Sequence, residues 1–180
     1  MIKDMRYTEG ELKTLLGAIA SYLLNYETDI DLWKRVVALE NDLKGYISDA
    51  YEYKNNTLKS HADYYINYFE LRLEQCILIH NLHYEMKKIR KMPIQAHIIA
   101  DYIIYMSDYV VEMNDTVEQI EKLEQIFDRM KNEPLPKDMD EFESRAILYH
   151  ILMDIEDFVK YEKRFVENMD NMEYYSLRTR

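Results

Sequence analysis

HADYYINYFELRLEQCILIHNLHYEMKKIRK, residues 61–91, contains neither glycine nor proline and repeats apolar residues at helical spacing. Tyr65, Phe69, Cys76, Ile77, His80, His83 and Met86 fall on its inward side, so one long helix is predicted from about His61 to Lys91. Pro93 then stops it and suits the first turn of a fourth helix, from Ile94 to about Val111. The same scarcity holds along the whole chain. With 3 Gly and 3 Pro in 180 residues, nearly every one is expected to mark a break, with helix between the breaks.

Upstream, Thr8 followed by Glu11 is a capping-box pattern. Behind it, Leu12, Leu15, Leu16, Ile19 and Leu23 trace one face, and the helix is predicted to end near Asn25. Thr28 with Asp31 opens a second, striped by Leu32, Val36, Leu39, Leu43, Tyr46 or Ile47, and Ala50. Gly45 within it reads as a tolerated weak point or a close contact with a neighbouring backbone. Asn55-Asn56-Thr57 marks a break before Ser60. Downstream, Asn114-Asp115 with Glu118 caps a fifth helix running to about Lys131. Asn132-Glu133-Pro134-Leu135-Pro136 is a loop, because two prolines this close cannot sit in a helix interior. Asp138 with Glu141 opens the last helix. Its stripe is Phe142, Leu148, Ile151 or Leu152, Ile155, Phe158 or Val159, and Phe165, reaching about Met172 before a fraying tail, Ser176–Arg180.

Short connections favour antiparallel neighbours. The expected fold is all-α: an elongated up-and-down bundle of five or six long antiparallel helices, with residues 1–180 as one domain.

Composition narrows the function. The net charge is −11, split as −2 over residues 1–90 and −9 over 91–180, and an acidic chain repels phosphate backbones, so nucleic acid is not an expected partner. The longest stretch without charge, Thr14–Tyr26, is shorter than the roughly 20 residues of a bilayer crossing, so the chain itself is expected to be soluble. Its single cysteine, Cys76, cannot form an internal disulfide and reads as buried filler. No glycine-rich phosphate loop, nucleophile elbow or paired-cysteine motif is present, so no enzyme activity and no cofactor are expected.

Two blocks of sequence carry a resemblance. The first is Tyr64-Tyr65-Ile66-Asn67-Tyr68-Phe69-Glu70-Leu71-Arg72 followed by Gln75. It continues through Gln95-Ala96, Ala100, Ile103 and Glu112-Met113-Asn114. The second is Leu135-Pro136-Lys137 with Asp140-Glu141-Phe142-Glu143-Ser144-Arg145-Ala146, then Leu148, Leu152 and Phe158. Together they resemble the C-terminal cytoplasmic domain of the "putative aromatic acid exporter" family, over roughly residues 10–168. Where that family tends to have a hydroxyl residue and an arginine after the Leu-Pro-Lys turn, this chain has Asp138, an equally good cap, and Met139. The resemblance implies a non-enzymatic assembly or regulatory module at the cytoplasmic face of a membrane. Its implied partners are its own copies and a membrane-spanning portion of the same protein.

The alternative is a sensing domain in which Arg72 and Arg145, with Tyr65 and Tyr68, hold an aromatic carboxylate. A planar cation and rings suit such a ligand. A structural reading competes: Arg145 lies four residues after Glu141, and Arg72 within a turn of Glu70 and Glu74, so ion pairs explain both arginines. Tyr102, Tyr105 and Tyr109 line one side of the fourth helix and are read as an exposed seam between subunits. His80 with His83, His97 with Asp101, and His150 with Asp154 share helix faces, but scattered histidines also serve as polar neighbours, and no metal is assigned. Lys87, Lys88, Arg90 and Lys91 offset the partial negative charge at a helix C-terminus, with contact to anionic lipid as the functional alternative.

Overall fold

The described residues form six helices: α1 (Ile2–Leu23), α2 (Leu32–Asn56), α3 (Ala62–Lys87), α4 (Ala96–Ser107), α5 (Val117–Lys131) and α6 (Met139–Asp170). The computed structural model describes residues 1–25, 31–56 and 61–170, and the side chain of Asp170 is not among them. Thr28, Thr57, Ser60, and the predicted end at Met172 with its tail lie outside the described residues.

The bundle alternates in direction along the chain, as expected. Tyr22 at the end of α1 reaches the Met86 carbonyl at the end of α3 (3.4 Å), while Tyr68 near the start of α3 reaches Met5 (3.4 Å). α1 and α3 are therefore parallel, with α2 running back between them. α3 is central and touches α1, α2 and α6; α4 packs chiefly on α1, and α5 lies against α4 and α6. At 1.5 Å per residue, α3 is about 39 Å long and α6 about 48 Å. One hydrophobic core runs through all six helices, from Leu12, Leu15 and Ile19 through Val36, Phe69 and Ile79 to Ile103, Leu123, Leu148 and Ile155.

Several boundaries differ from the sequence reading. Thr8 is no cap: α1 has already begun at Ile2, and the Thr8 hydroxyl donates to the Asp4 carbonyl one turn back (2.8 Å). All three glycines sit inside helices, Gly10 and Gly17 in α1 and Gly45 in α2, so only the prolines mark breaks. A Cβ added at Gly45 would meet nothing within 4 Å, which makes it a weak point and not a close backbone contact. α1 closes at Asn25, whose left-handed φ of 58° asparagine tolerates better than most residues.

α3 stops at Lys87, four residues early, because residues 88–92 turn to pack Ile89 and Met92 on the core ahead of Pro93. α4 accordingly starts at Ala96, not Ile94, after turn bonds from Ala96, His97 and Ile98 to the three carbonyls before it. Ile77 and Phe142 are exposed, not inward-facing; Leu71, Leu78, Ile79 and Leu82 fill the α3 face instead. The Asp138 cap is as predicted: its Oδ1 accepts from the Glu141 amide (2.8 Å), and the Glu141 carboxylate accepts from the Lys137 amide (2.9 Å).

Candidate functional site

Arg72 is 0% exposed and, among the described residues, is the largest fully buried side chain. α3 carries it into the middle of the bundle, where α1, α6 and the α4–α5 connection each send it a partner. From α6, Glu162 accepts from Nη1 at 2.6 Å, and Gln75 one turn along α3 accepts from the same nitrogen at 2.8 Å. From the α4–α5 connection, the Val111 carbonyl accepts from Nη2 at 2.6 Å. From α1, the Glu9 carboxylate lies 4.0 Å away. The guanidinium also sits 4.9 Å from the centre of the Tyr68 ring. That ring's hydroxyl donates to Glu9 (2.9 Å). Gln75 is itself oriented, its amide donating to the Phe158 carbonyl (3.1 Å) and to Glu162 (3.2 Å).

Burial opposes the Arg72 charge, but Glu162, Tyr68 and Glu9 outweigh it and hold the group protonated. Burial likewise pushes the Glu162 carboxyl above its ordinary range, against the pull of Arg72 and Gln75. Glu9 is raised for the same reason, with Tyr68 and Arg72 pulling the other way. Removing one member of a buried pair of this kind typically costs about 3–5 kcal/mol, because the other charge is left uncompensated. The cluster therefore ties α1, α3, α6 and the α4–α5 connection together, and Arg72 offers no face to a ligand. Its ion-pair partner is Glu162, 90 residues away in sequence, and neither Glu70 nor Glu74.

Arg145 occupies a different place. It donates to Glu141 one turn back and to the Pro134 carbonyl, clasping the proline loop to the start of α6. The Lys137 amide, and then Arg145, hold the Glu141 carboxyl below its usual range. Arg145 lines an open cavity of about 280 Å³ with Gln95, Phe142, Tyr149 and the loop prolines. Along α6 it is 17 residues from Glu162, or roughly 25 Å. Arg72 and Arg145 thus do not converge on one carboxylate. Tyr68 is committed to Glu9, and Tyr65 is half-buried against Tyr64 (5.7 Å between ring centres).

The remaining candidates are placed as follows. Tyr102 is buried and donates to the Gln119 carbonyl (2.9 Å), so it packs α4 on α5 and is not part of an exposed seam. Tyr105 and Tyr109 are half-buried and lie tilted against each other (4.9 Å between ring centres), with Lys122 3.8 Å over Tyr105. His80 pairs with Glu40 and packs edge-on to Trp33 (4.4 Å), while His150 lies 4.0 Å from Glu85. Among the described residues no three His, Cys, Asp or Glu side chains come together as metal ligands. Cys76 is buried, and desolvation pushes its thiol up to about 12, as fits a core filler. Lys88 pairs with Glu85 (2.8 Å), and Arg90 reaches Asp140 (3.6 Å), which ties the end of α3 to the start of α6.

Sequence reading missed Glu162 and Glu9 as partners of Arg72. Glu162 did leave a signal: it continues the spacing Ile155, Phe158, Phe165 on the inward face of α6, where a carboxylate must find a cation or stay neutral.

Known proteins resemble this chain in sequence and in fold. The chain is 24% identical over 167 residues to the "Uncharacterized protein YqjA" of Bacillus subtilis (strain 168), covering 92% of this chain and 51% of that protein. It thus spans about half the length of the curated relative it matches. A solved structure described as a "putative membrane protein from Clostridium difficile 630" superposes with a TM-score of 0.78 at 27% identity, over 91% of this chain and 96% of that one. No helix among the described residues is long and apolar enough to cross a membrane. Residues 1–163 match the family described as "Putative aromatic acid exporter C-terminal domain", and the chain belongs to that family.

Proposed function

We propose that this chain is a non-enzymatic assembly or regulatory module of an aromatic acid exporter, held at the cytoplasmic face of the membrane by a spanning portion of the same protein. One observation carries this reading. Three residues of the first block of family sequence, Tyr68, Arg72 and Gln75, build the buried cluster with Glu162, which fixes the relative positions of four parts of the bundle. Such a cluster makes a rigid body that can brace or transmit, with its polar groups turned inward. The test compares the intact exporter with a version lacking this domain, for membrane assembly and for efflux of a labelled hydroxybenzoate from cells. The module reading expects both to fall; unchanged assembly and efflux would refute it.

The cavity beside Arg145 favours a second reading, a sensor. It is roomy enough for one aromatic ring and is walled by Phe142, Tyr149, Pro134 and Pro136 with a cation at its edge. Titration with hydroxybenzoates checks it: binding heat that disappears in Arg145→Met supports the sensor, and absence of heat removes it.

A further inference from the structure

α6 carries two apolar faces. The inward one is Ser144, Leu148, Ile151, Leu152, Ile155, Phe158 and Val159, all buried. On the opposite side, Met139, Phe142, Ala146, Tyr149 and Met153 follow one another at spacings of three, four, three and four. That is the repeat of a coiled-coil seam over two heptads, about 21 Å of helix. Yet it faces outward: Met139 is 67% exposed, Phe142 56%, Tyr149 38% and Met153 46%, and Ala146 is exposed as well. α5 and the proline loop flank it, with Phe127 edge-on to Tyr149 (5.4 Å) and the open cavity of about 280 Å³ lying between the loop and Phe142, Ala146 and Tyr149. Beside the seam an open groove of about 480 Å³ runs between α5 and α6.

We propose that this seam receives α6 of a second copy of the chain, antiparallel, about a two-fold axis at Ala146. The order of side chains is what singles out a second copy. Reversed about Ala146, the seam meets its own complement: Met139 faces Met153, Phe142 faces Tyr149, and the smallest side chain lies at the crossing point, where the backbones approach most closely. Charge selects the direction. Antiparallel pairing brings Glu143 level with His150 of the partner subunit, on the same edge of the seam. Parallel pairing would set Asp138 beside Glu143 of the partner subunit, like against like. The antiparallel arrangement also opposes the two helix dipoles. Two heptads are short for a coiled coil, so the pair is weak and concentration-dependent. It moves the subunit contact from the α4 tyrosines to α6.

The pairing rests on the assembly reading above, and the two fail separately. Sedimentation velocity on the 180-residue chain, from about 1 to about 200 µM, should show a monomer–dimer equilibrium, the range suited to a small interface. Met153→Glu should weaken it at least tenfold with an unchanged circular dichroism melt, because that side chain is not in the core. Tyr149→Glu should weaken it as much, together with a lower melt from the lost contact with Phe127. Ile104→Glu, at an exposed position on α4, should leave it intact. Ala146→Cys should cross-link to its own counterpart on mild oxidation, and Ile104→Cys should not.

A monomer across the whole range overturns the pairing, and the efflux and assembly experiment then decides the module reading by itself. A dimer indifferent to Met153→Glu and Tyr149→Glu overturns the surface. A trimer or open-ended series overturns the two-fold, since an isologous contact closes at two.

Discussion

Arg72→Met is the most discriminating perturbation of this fold. Methionine retains most of the apolar stem and removes the guanidinium. Glu162 loses its ion pair, and the Gln75 oxygen and the Val111 carbonyl each lose a donor. Orphaning a buried charge costs about 3–5 kcal/mol. That is a large share of the roughly 5–15 kcal/mol that holds a domain together. Burial already pushes the Glu162 carboxyl up, and losing Arg72 removes a pull the other way, which draws the cost toward the lower figure. For a chain of this size, about 2–4 °C of melting temperature goes with each kcal/mol, so Tm should fall by roughly 6–20 °C.

Circular dichroism at 222 nm during heating and in urea reads this directly. Adding Glu162→Leu should restore part of the loss, since replacing both partners by apolar groups is far less costly than removing one. If Arg72→Met melts within about 2 °C of the parent, or if Glu162→Leu adds a full second penalty, the cluster is not what ties the helices together.

Gly45→Ala should raise stability by about 0.5–1 kcal/mol in urea unfolding, because Gly45 lies inside α2 with open space where the methyl would go. Loss of stability there would mean that α2 is not continuous through residue 45. Asp154 is half-buried on α6 with its Oδ2 unpartnered, and burial raises its pKa despite His150 nearby. Its folded pKa lies above the unfolded one, so the penalty is full above the folded pKa and fades as pH falls toward the ordinary aspartate range. Asp154→Asn should therefore stabilise the chain at pH 7, by no more than about 1 kcal/mol after solvent screening, and the gain should vanish near pH 3. A gain that persists unchanged at low pH would refute that account.

The helical architecture was legible because periodicity and proline placement are local signals. Leu12 to Leu23, Leu32 to Ala50 and Leu148 to Phe165 all turned their predicted faces inward. Boundaries were less legible where two local signals competed. Thr8 with Glu11 has the letters of a cap, but the residues before it are good helix formers, and α1 ran through it. The glycines misled for a related reason: their cost in a helix, about 1 kcal/mol, is easily met by packing on either side. The Arg72 cluster was only half legible. Arg72 and Gln75 lay in a recognisable block, but the ion pair spans 90 residues, and nothing local links α3 to Glu162 or to a carbonyl.

At Val111 the guanidinium grips the peptide group, while the valine side chain points to solvent. A main-chain oxygen is supplied by any residue type. The side chain at position 111 therefore does not enter this contact, provided that the connection keeps its path and the residue keeps the N–H that donates to the Tyr109 carbonyl. Paired changes between positions 72 and 162 would leave an evolutionary trace; the third grip leaves none, and only an atomic view can register it.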